Sequence, residues 1–241
     1  MLVLFPFEKE IYQKAGIPVT YVGHPLASII PMKSDKNNAR KKLNIEKDQK
    51  VVAILPGSRF SEIIYNSEVF LKTAIELSKK NHNIIFFVPM VGESHKKMFE
   101  KISRKIDLKN ISLKILVDNS YDILAASDAV LVASGTATLE VALFKKPMVI
   151  AYKMNPASWQ ILRFMAYQPW FGLPNILSKE FLVPEFFQDK ASPKNLSEAL
   201  LFQLFDEKNK VNLSEKFKKL HLMLSENTAK KSCEVIMKMI S

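Results

Sequence analysis

From residue 50 onward the chain alternates short runs of consecutive apolar residues with longer amphipathic runs, and this alternation restricts the fold more than any other property. Val51-Val-Ala-Ile-Leu55 precedes a helix-period stretch from about Ser61 to Lys80, where Ile64, Phe70, Leu71, Ala74, Ile75 and Leu77 share one stripe. Ile84-Ile-Phe-Phe-Val88 precedes a basic amphipathic stretch from about Glu93 to Ile106. Ile111-Ser-Leu-Lys-Ile-Leu-Val117 precedes a short helix from about Tyr121 to Ser127. Asp128-Ala-Val-Leu-Val-Ala133 and Lys146-Pro-Met-Val-Ile-Ala-Tyr152 read as two further strands with helix-forming residues between them. Strands apolar throughout are covered on both faces, and intervening helices make successive strands parallel. The expected fold is therefore α/β, with a doubly wound parallel sheet.

Two turns in this pattern carry candidate chemistry. Ser134-Gly135-Thr136 opens the helix after the fourth strand, and such a turn aims free backbone N–H groups and a helix N-terminus at an anion such as phosphate. Glu140 falls one helical turn further on, within reach of sugar hydroxyls. The second turn is Leu55-Pro56-Gly57-Ser58-Arg59. Gly57 opens it, Ser58 can donate to a phosphate oxygen, and Arg59 can grip a diphosphate through two parallel N–H bonds. Alone, this motif describes a surface turn with an exposed arginine equally well. A doubly wound sheet brings both turns to its carboxyl edge, where ligands of such sheets bind. Gly23, Gly57, Gly92 and Gly135 each follow a strand-like run, which fits that edge and is also an ordinary way to leave a strand.

The ends of the chain read differently. Leu2-Val-Leu-Phe5, a helix from about Glu8 to Lys14, and Val19-Thr-Tyr-Val22 form a single β-α-β unit, too little to bury its own face. Residues 1–32 are accordingly expected to be the remnant of another domain, and the polar segment 33–50 a linker region. Residues 51–190 form the sheet domain and 191–241 the C-terminal helices. Trp159, Phe164, Tyr167, Trp170 and Phe171 crowd together with Arg163, a composition that suits a membrane interface or a cleft. Packing is favoured, because Pro156, Pro169 and Pro174 interrupt any long membrane-lying helix. Helices are expected near Pro193–Phe205, Leu213–Leu224 and Thr228–Ile240. In the last, Ala229, Cys233, Ile236 and Ile240 read as a core-facing stripe with Cys233 buried.

Several classes drop out. No run reaches the roughly 18 apolar residues of a membrane span, and the opening residues Met1 to Glu8, with no basic segment or cleavage site, are not expected to be a secretory signal. One cysteine excludes an intramolecular disulfide and fits a cytoplasmic protein. The G-x-G-x-x-G, G-x-x-x-x-G-K-[ST] and G-x-S-x-G patterns are missing, as is any Asp-x-Asp pair. The four histidines lack metal-ligand spacing: His82 and His95 read as solvated, His221 lies in a charged helix, and His24 can order the hinge before the linker. The formal charge of +11 is spread along the chain, with seven basic and three acidic residues in each of 33–50 and 93–114. A diffuse excess suits an anionic membrane surface or phosphorylated substrates at least as well as nucleic acid, and a general lysine-rich bias produces it too.

Phe5-Pro6-Phe7-Glu8-Lys9, Val22-Gly23-His24-Pro25-Leu26, Leu55-Pro56-Gly57-Ser58-Arg59 and Val88-Pro89 resemble the bacterial lipid-A-disaccharide synthases, glycosyltransferases of two-domain GT-B architecture. Ala133 to Glu140, Pro147-Met148-Val149 and Leu173-Pro174-Asn175 continue the resemblance, in order and spacing, to about residue 190. It implies a Rossmann-like sheet domain holding UDP, and transfer of 2,3-diacylglucosamine from UDP-2,3-diacylglucosamine to 2,3-diacylglucosamine 1-phosphate. Carried over, Ser58, Arg59, Ser134, Gly135 and Thr136 contact the diphosphate, Glu140 holds the ribose and Asn175 sits near the nucleotide. Arg59 stabilises charge on departing UDP, with no metal and no cofactor. The resemblance further implies an enzyme peripheral to the inner face of the inner membrane, with no nucleic-acid partner. Residues 1–32 then correspond to the last β-α-β unit of an acceptor domain, and no general base can be named. The chain is expected to be a truncated or split form, inactive alone and partnered by a separate N-terminal half. Another GT-B enzyme using UDP-GlcNAc, or a non-catalytic nucleotide-binding domain, are the competing readings.

Overall fold

A computed structural model describes the backbone of residues 1–165 and 169–240, and the side chains of all these except 161–165 and 239. The chain begins with β1 (Leu2–Val3), α1 (Pro6–Lys14), β2 (Thr20–Tyr21), α2 (Pro25–Ile29) and α3 (Lys36–Lys42). The central run is β3 (Lys50–Leu55), α4 (Phe60–Lys80), β4 (Ile84–Met90), α5 (Glu93–Ser103), β5 (Ser112–Val117), α6 (Ser120–Ala126), β6 (Ala129–Ala133), α7 (Ala137–Leu143) and β7 (Met148–Tyr152). Then come α8 (Pro156–Met165), α9 (Leu173–Ser178), β8 (Glu185–Phe187), α10 (Pro193–Phe205), α11 (Glu207–Leu224) and α12 (Thr228–Ile240).

Six parallel strands form the main sheet in the order β5-β4-β3-β6-β7-β8. The chain winds outward from β3 in one direction and from β6 in the other, so the expected doubly wound sheet is present, with its switch point between those two strands. Successive residues of β3 explain its unbroken apolar run. Val51 and Ala53 enter a core shared with α6, α7 and α11, whereas Val52 and Ile54 enter a second core with α4, α5 and α10. Phe86 and Phe87 of β4 divide in the same way and are fully buried. Truncating either to alanine would cost about 3–5 kcal/mol. At the edge, β5 turns Ser112 and Lys114 outward, and the Lys114 ammonium lies 5.6 Å from the centre of the Phe87 ring. A lysine there discourages pairing with another chain.

Three expectations change. Ile64 is 51% exposed, and Ile63 takes its place in the core with Phe70, Leu71, Ala74 and Leu77, because adjacent helical residues lie 100° apart. The stripe of α12 does not face a core: Ala229, Cys233, Ile236 and Ile240 are all exposed. Helical periodicity shows that a face is apolar, not that anything covers it. His221, on its charged helix, is buried, and His95 stacks on the Phe60 ring at 4.4 Å. Trp159 and Phe171 pack on Phe187 at 5.7 and 4.6 Å, and Trp170 meets Phe181 at 6.0 Å. Tyr167 and the side chains of Arg163 and Phe164 lie outside the described residues.

The N-terminal unit pairs β1 with β2 in parallel, Leu2 opposite Thr20. It is held by the far end of the chain. His24 N–H donates to Leu224 O (3.0 Å) and Tyr21 O–H to Met223 O (2.7 Å). Gly23, at φ +80°, allows this approach, since a Cβ there would overlap Glu226. His24 caps α2 by accepting from Leu26 N–H, and its ring lies 5.2 Å from Phe5. Segment 33–50 carries α3, whose Lys36 and Arg40 reach Asp128 at 2.6 and 3.7 Å. Asp128 also accepts the Val51 N–H (2.8 Å), so α3 is fixed to the start of β3. The Lys36 ammonium and the Val51 amide hold the Asp128 carboxyl below the usual range, outweighing the burial that pushes it up.

Candidate functional site

At the switch point, the carboxyl ends of β3 and β6 open into a cavity of about 440 Å³. That is within the roughly 300–1,000 Å³ of small-molecule sites. One wall is Gly57, Ser58 and Arg59, and the other is Ser134, Gly135, Thr136, Ala137 and Glu140. Pro89, Met90, Val91, Asp118 and Ser120 line the side toward β4 and β5, and Tyr152 the side toward β7. The sheet thus brings together six of the seven residues expected from sequence.

The two walls differ electrically. In the second wall Thr138 turns its hydroxyl back onto Gly135 O (2.7 Å), and Thr138 N–H takes the same oxygen (3.1 Å). Among the described residues, the N–H groups of Gly135, Thr136 and Ala137 have no protein acceptor. All three residues line the cavity, so these are open donors at its wall. Glu140 has no hydrogen-bond partner among the described residues, and burial raises its pKa. A half-buried acceptor without a partner is suited to a ligand's hydroxyl groups.

In the first wall Glu62, in the opening turn of α4, accepts Ser58 N–H (2.8 Å) and Arg59 N–H (3.1 Å) on Oε2. Its Oε1 lies 3.5 Å from the Arg59 guanidinium and 3.4 Å from the Tyr152 hydroxyl. Burial raises the Tyr152 pKa, and the Glu62 charge raises it further. The Arg59 side chain is 80% exposed and free to turn toward a ligand. Buried Asn66 ties this wall to β7, donating to Glu62 O and Pro56 O while accepting Lys153 N–H.

Asn175 is the exception. It is fully buried and does not line the cavity. Its Oδ1 accepts Leu182 N–H (2.9 Å) and Val183 N–H (3.0 Å), and its Nδ2 donates to Val183 O (2.9 Å) and Glu185 Oε1 (2.7 Å). Every polar capacity of the amide is used inside the protein, so it has none for a nucleotide. Glu62, Tyr152, Asn66 and Asp118 escaped the sequence reading. Glu62 alone left a signal there, an acid three residues into a helix that opens at Arg59. Among the described residues no three His, Cys, Asp or Glu side chains gather as metal ligands.

A sheet wound outward from a switch point, with a cavity there between an arginine turn and a row of open amides, is a fold that this chain shares with solved glycosyltransferases. The crystal structure of WaaG, a glycosyltransferase involved in lipopolysaccharide biosynthesis, superposes with a TM-score of 0.58 at 16% identity, covering 98% of this chain and 62% of that one. Anabaena Alr3699/HepE in complex with UDP and glucose gives 0.56 at 12%, with the same coverage. The chain belongs to the lipid-A-disaccharide synthetase family (LpxB), whose model matches residues 1–237. The lipid-A-disaccharide synthase of Azoarcus sp. (strain BH72) is 44% identical over 241 residues, all of this chain and 62% of the relative. The chain therefore spans a little under two thirds of the relative's length.

Proposed function

We propose that the chain binds UDP-2,3-diacylglucosamine and supplies the donor side of lipid-A-disaccharide synthesis. The sugar passes to 2,3-diacylglucosamine 1-phosphate, leaving UDP. The convergence of Arg59, the open amides of residues 135–137 and Glu140 on one cavity carries this reading. In it the diphosphate lies between Arg59 and Ser58 on one wall and the amide row on the other, and Glu140 accepts the ribose hydroxyls. As the glycosidic bond to UDP breaks, negative charge grows on the diphosphate oxygen, and preorganised donors there lower the barrier. Arg59 and the amides supply that positive field in place of a divalent cation, so binding and transfer are expected to survive chelation by EDTA.

Family membership favours this donor over plain UDP-GlcNAc. The acceptor side would come from a part corresponding to the remaining length of the relatives, either joined to this chain or as a separate N-terminal half. No helix among the described residues is long and apolar enough to cross a membrane. With a charge of +11 spread along the chain, we place it at the cytoplasmic, anionic face of the inner membrane, where its acylated substrates lie. Isothermal titration with UDP tests the donor site, with micromolar to millimolar binding expected. Transfer assays with and without an added acceptor domain test the division of labour. Absence of UDP binding would refute the assignment, and disaccharide formation by the chain alone would refute the need for a second part.

A further inference from the structure

The two turns that face each other across the cavity use their backbone amides in opposite ways. At Gly135, Thr136 and Ala137 the N–H groups are open, whereas at Ser58 and Arg59 both are taken by the Glu62 carboxylate. The local backbone is shaped for this occupant. Gly57 sits at φ +128°, and a Cβ at that position would overlap Glu62. The second carboxylate oxygen stays beside the cavity, 3.5 Å from Arg59 Nη1 and 3.4 Å from the Tyr152 hydroxyl. A negative group thus occupies what would otherwise be an anion seat, next to the cation that a diphosphate needs.

We propose that Glu62 is a resident anion that holds down the affinity of this site for a nucleoside diphosphate. It withholds two amides and sets a negative charge beside the ligand's own. It also engages the guanidinium that the ligand must draw away. The inference rests on the reading that UDP binds in this cavity. Its use follows from the direction of the reaction: UDP is the product left behind, and a seat offering every amide on both walls would release it slowly. Glu62 acts through Arg59 and the turn, as a positioning residue.

The Glu62→Gln variant tests this. The side-chain carbonyl of glutamine can still accept both amide hydrogens, so the turn persists while the charge is lost. Wild type and E62Q are titrated calorimetrically with UDP and with uridine at low and high salt, and unchanged thermal unfolding serves as the fold control. UDP should bind E62Q roughly three- to tenfold more tightly at low salt, the gain shrinking as salt screens the charges. Uridine, without phosphates, should bind both proteins alike, a split that a purely structural role would not produce. If wild type binds UDP and E62Q binds it equally or more weakly, the inference about Glu62 falls alone. Should neither protein bind UDP, the assignment of the cavity falls with it.

Discussion

The ammonium of Lys145 lies 2.6 Å from Nδ1 of buried His221, and this contact fixes the protonation of the ring. Lys145 has only protons to offer, so Nδ1 accepts and Nε2 carries the hydrogen that meets Ala27 O at 2.8 Å. Burial lowers the His221 pKa, with Lys145 adding to the shift, and burial brings Lys145 itself down to about 8. The unfolded chain therefore takes up a proton near the ordinary histidine value of 6.5 while the folded one resists it. Stability from His221 is complete above that value and drains as pH falls toward the folded pKa. Thermal unfolding between about pH 7.5 and pH 5 should show Tm falling with acid, and less steeply in His221→Gln. Equal slopes would remove His221 from the cause.

Lys146 gives the opposite end of the pH range. Its buried ammonium donates to Ala125 O (2.7 Å) and Ser127 O (3.0 Å), and burial pushes its pKa down to about 7 from 10.5. Between those values the unfolded chain binds more protons, so stability rises with pH across that window. Lys146→Met should flatten the rise and cost about 1–3 kcal/mol at neutral pH by stranding two carbonyls. Chemical denaturation at a series of pH values reads both effects.

Arg59→Ala should separate binding from folding. With 80% of its side chain exposed and one 3.5 Å contact to Glu62, Arg59 adds little to stability. Loss of charge-assisted bonds to the diphosphate should weaken UDP roughly ten- to hundredfold by calorimetry, with Tm nearly unchanged. Wild-type affinity in this variant would move the diphosphate elsewhere.

Glu140 should read the ribose. Glu140→Ala is expected to lose the preference for uridine over 2′-deoxyuridine. In the wild type, uridine affinity should hold at neutral pH and fall on acidification earlier than an ordinary glutamate would dictate, because burial raises the carboxyl's pKa. Uridine has no phosphate to titrate in the same range, so the profile reports the protein. A flat profile into strong acid would break the assignment.

Asn175→Leu should act through the fold. Four hydrogen bonds, two of them fully buried, join its amide to residues 182, 183 and 185. Their loss should cost about 2–4 kcal/mol in denaturant unfolding, most of it from stranded backbone N–H groups. UDP affinity of the folded fraction should change far less than in Arg59→Ala.

The main sheet was legible because β3, β4, β6 and β7 are buried on both faces and read as unbroken apolar runs, and both cavity walls followed from what succeeds β3 and β6. β8 was not, since three residues among prolines and aromatics have no period to detect. The sequence pattern shows that Asn175 is polar and beside a proline, but only the fold shows that residues 182–185 return to consume it. Cys233 fails for a related reason, because an apolar stripe on α12 says nothing about what lies opposite.

The sheet also acts as a partition. The arginine wall leans on α4, whose Ile63, Phe70 and Leu71 belong to the core on one side, whereas the amide wall rides on α7, whose Leu139, Val141 and Leu143 belong to the core on the other. The two walls of the cavity are thus anchored in separately packed layers and meet along the line where β3 and β6 pair. A packing defect in one layer shifts one jaw of a vice and leaves the other in place, so the gap between the jaws can be adjusted without replacing any residue that faces the ligand.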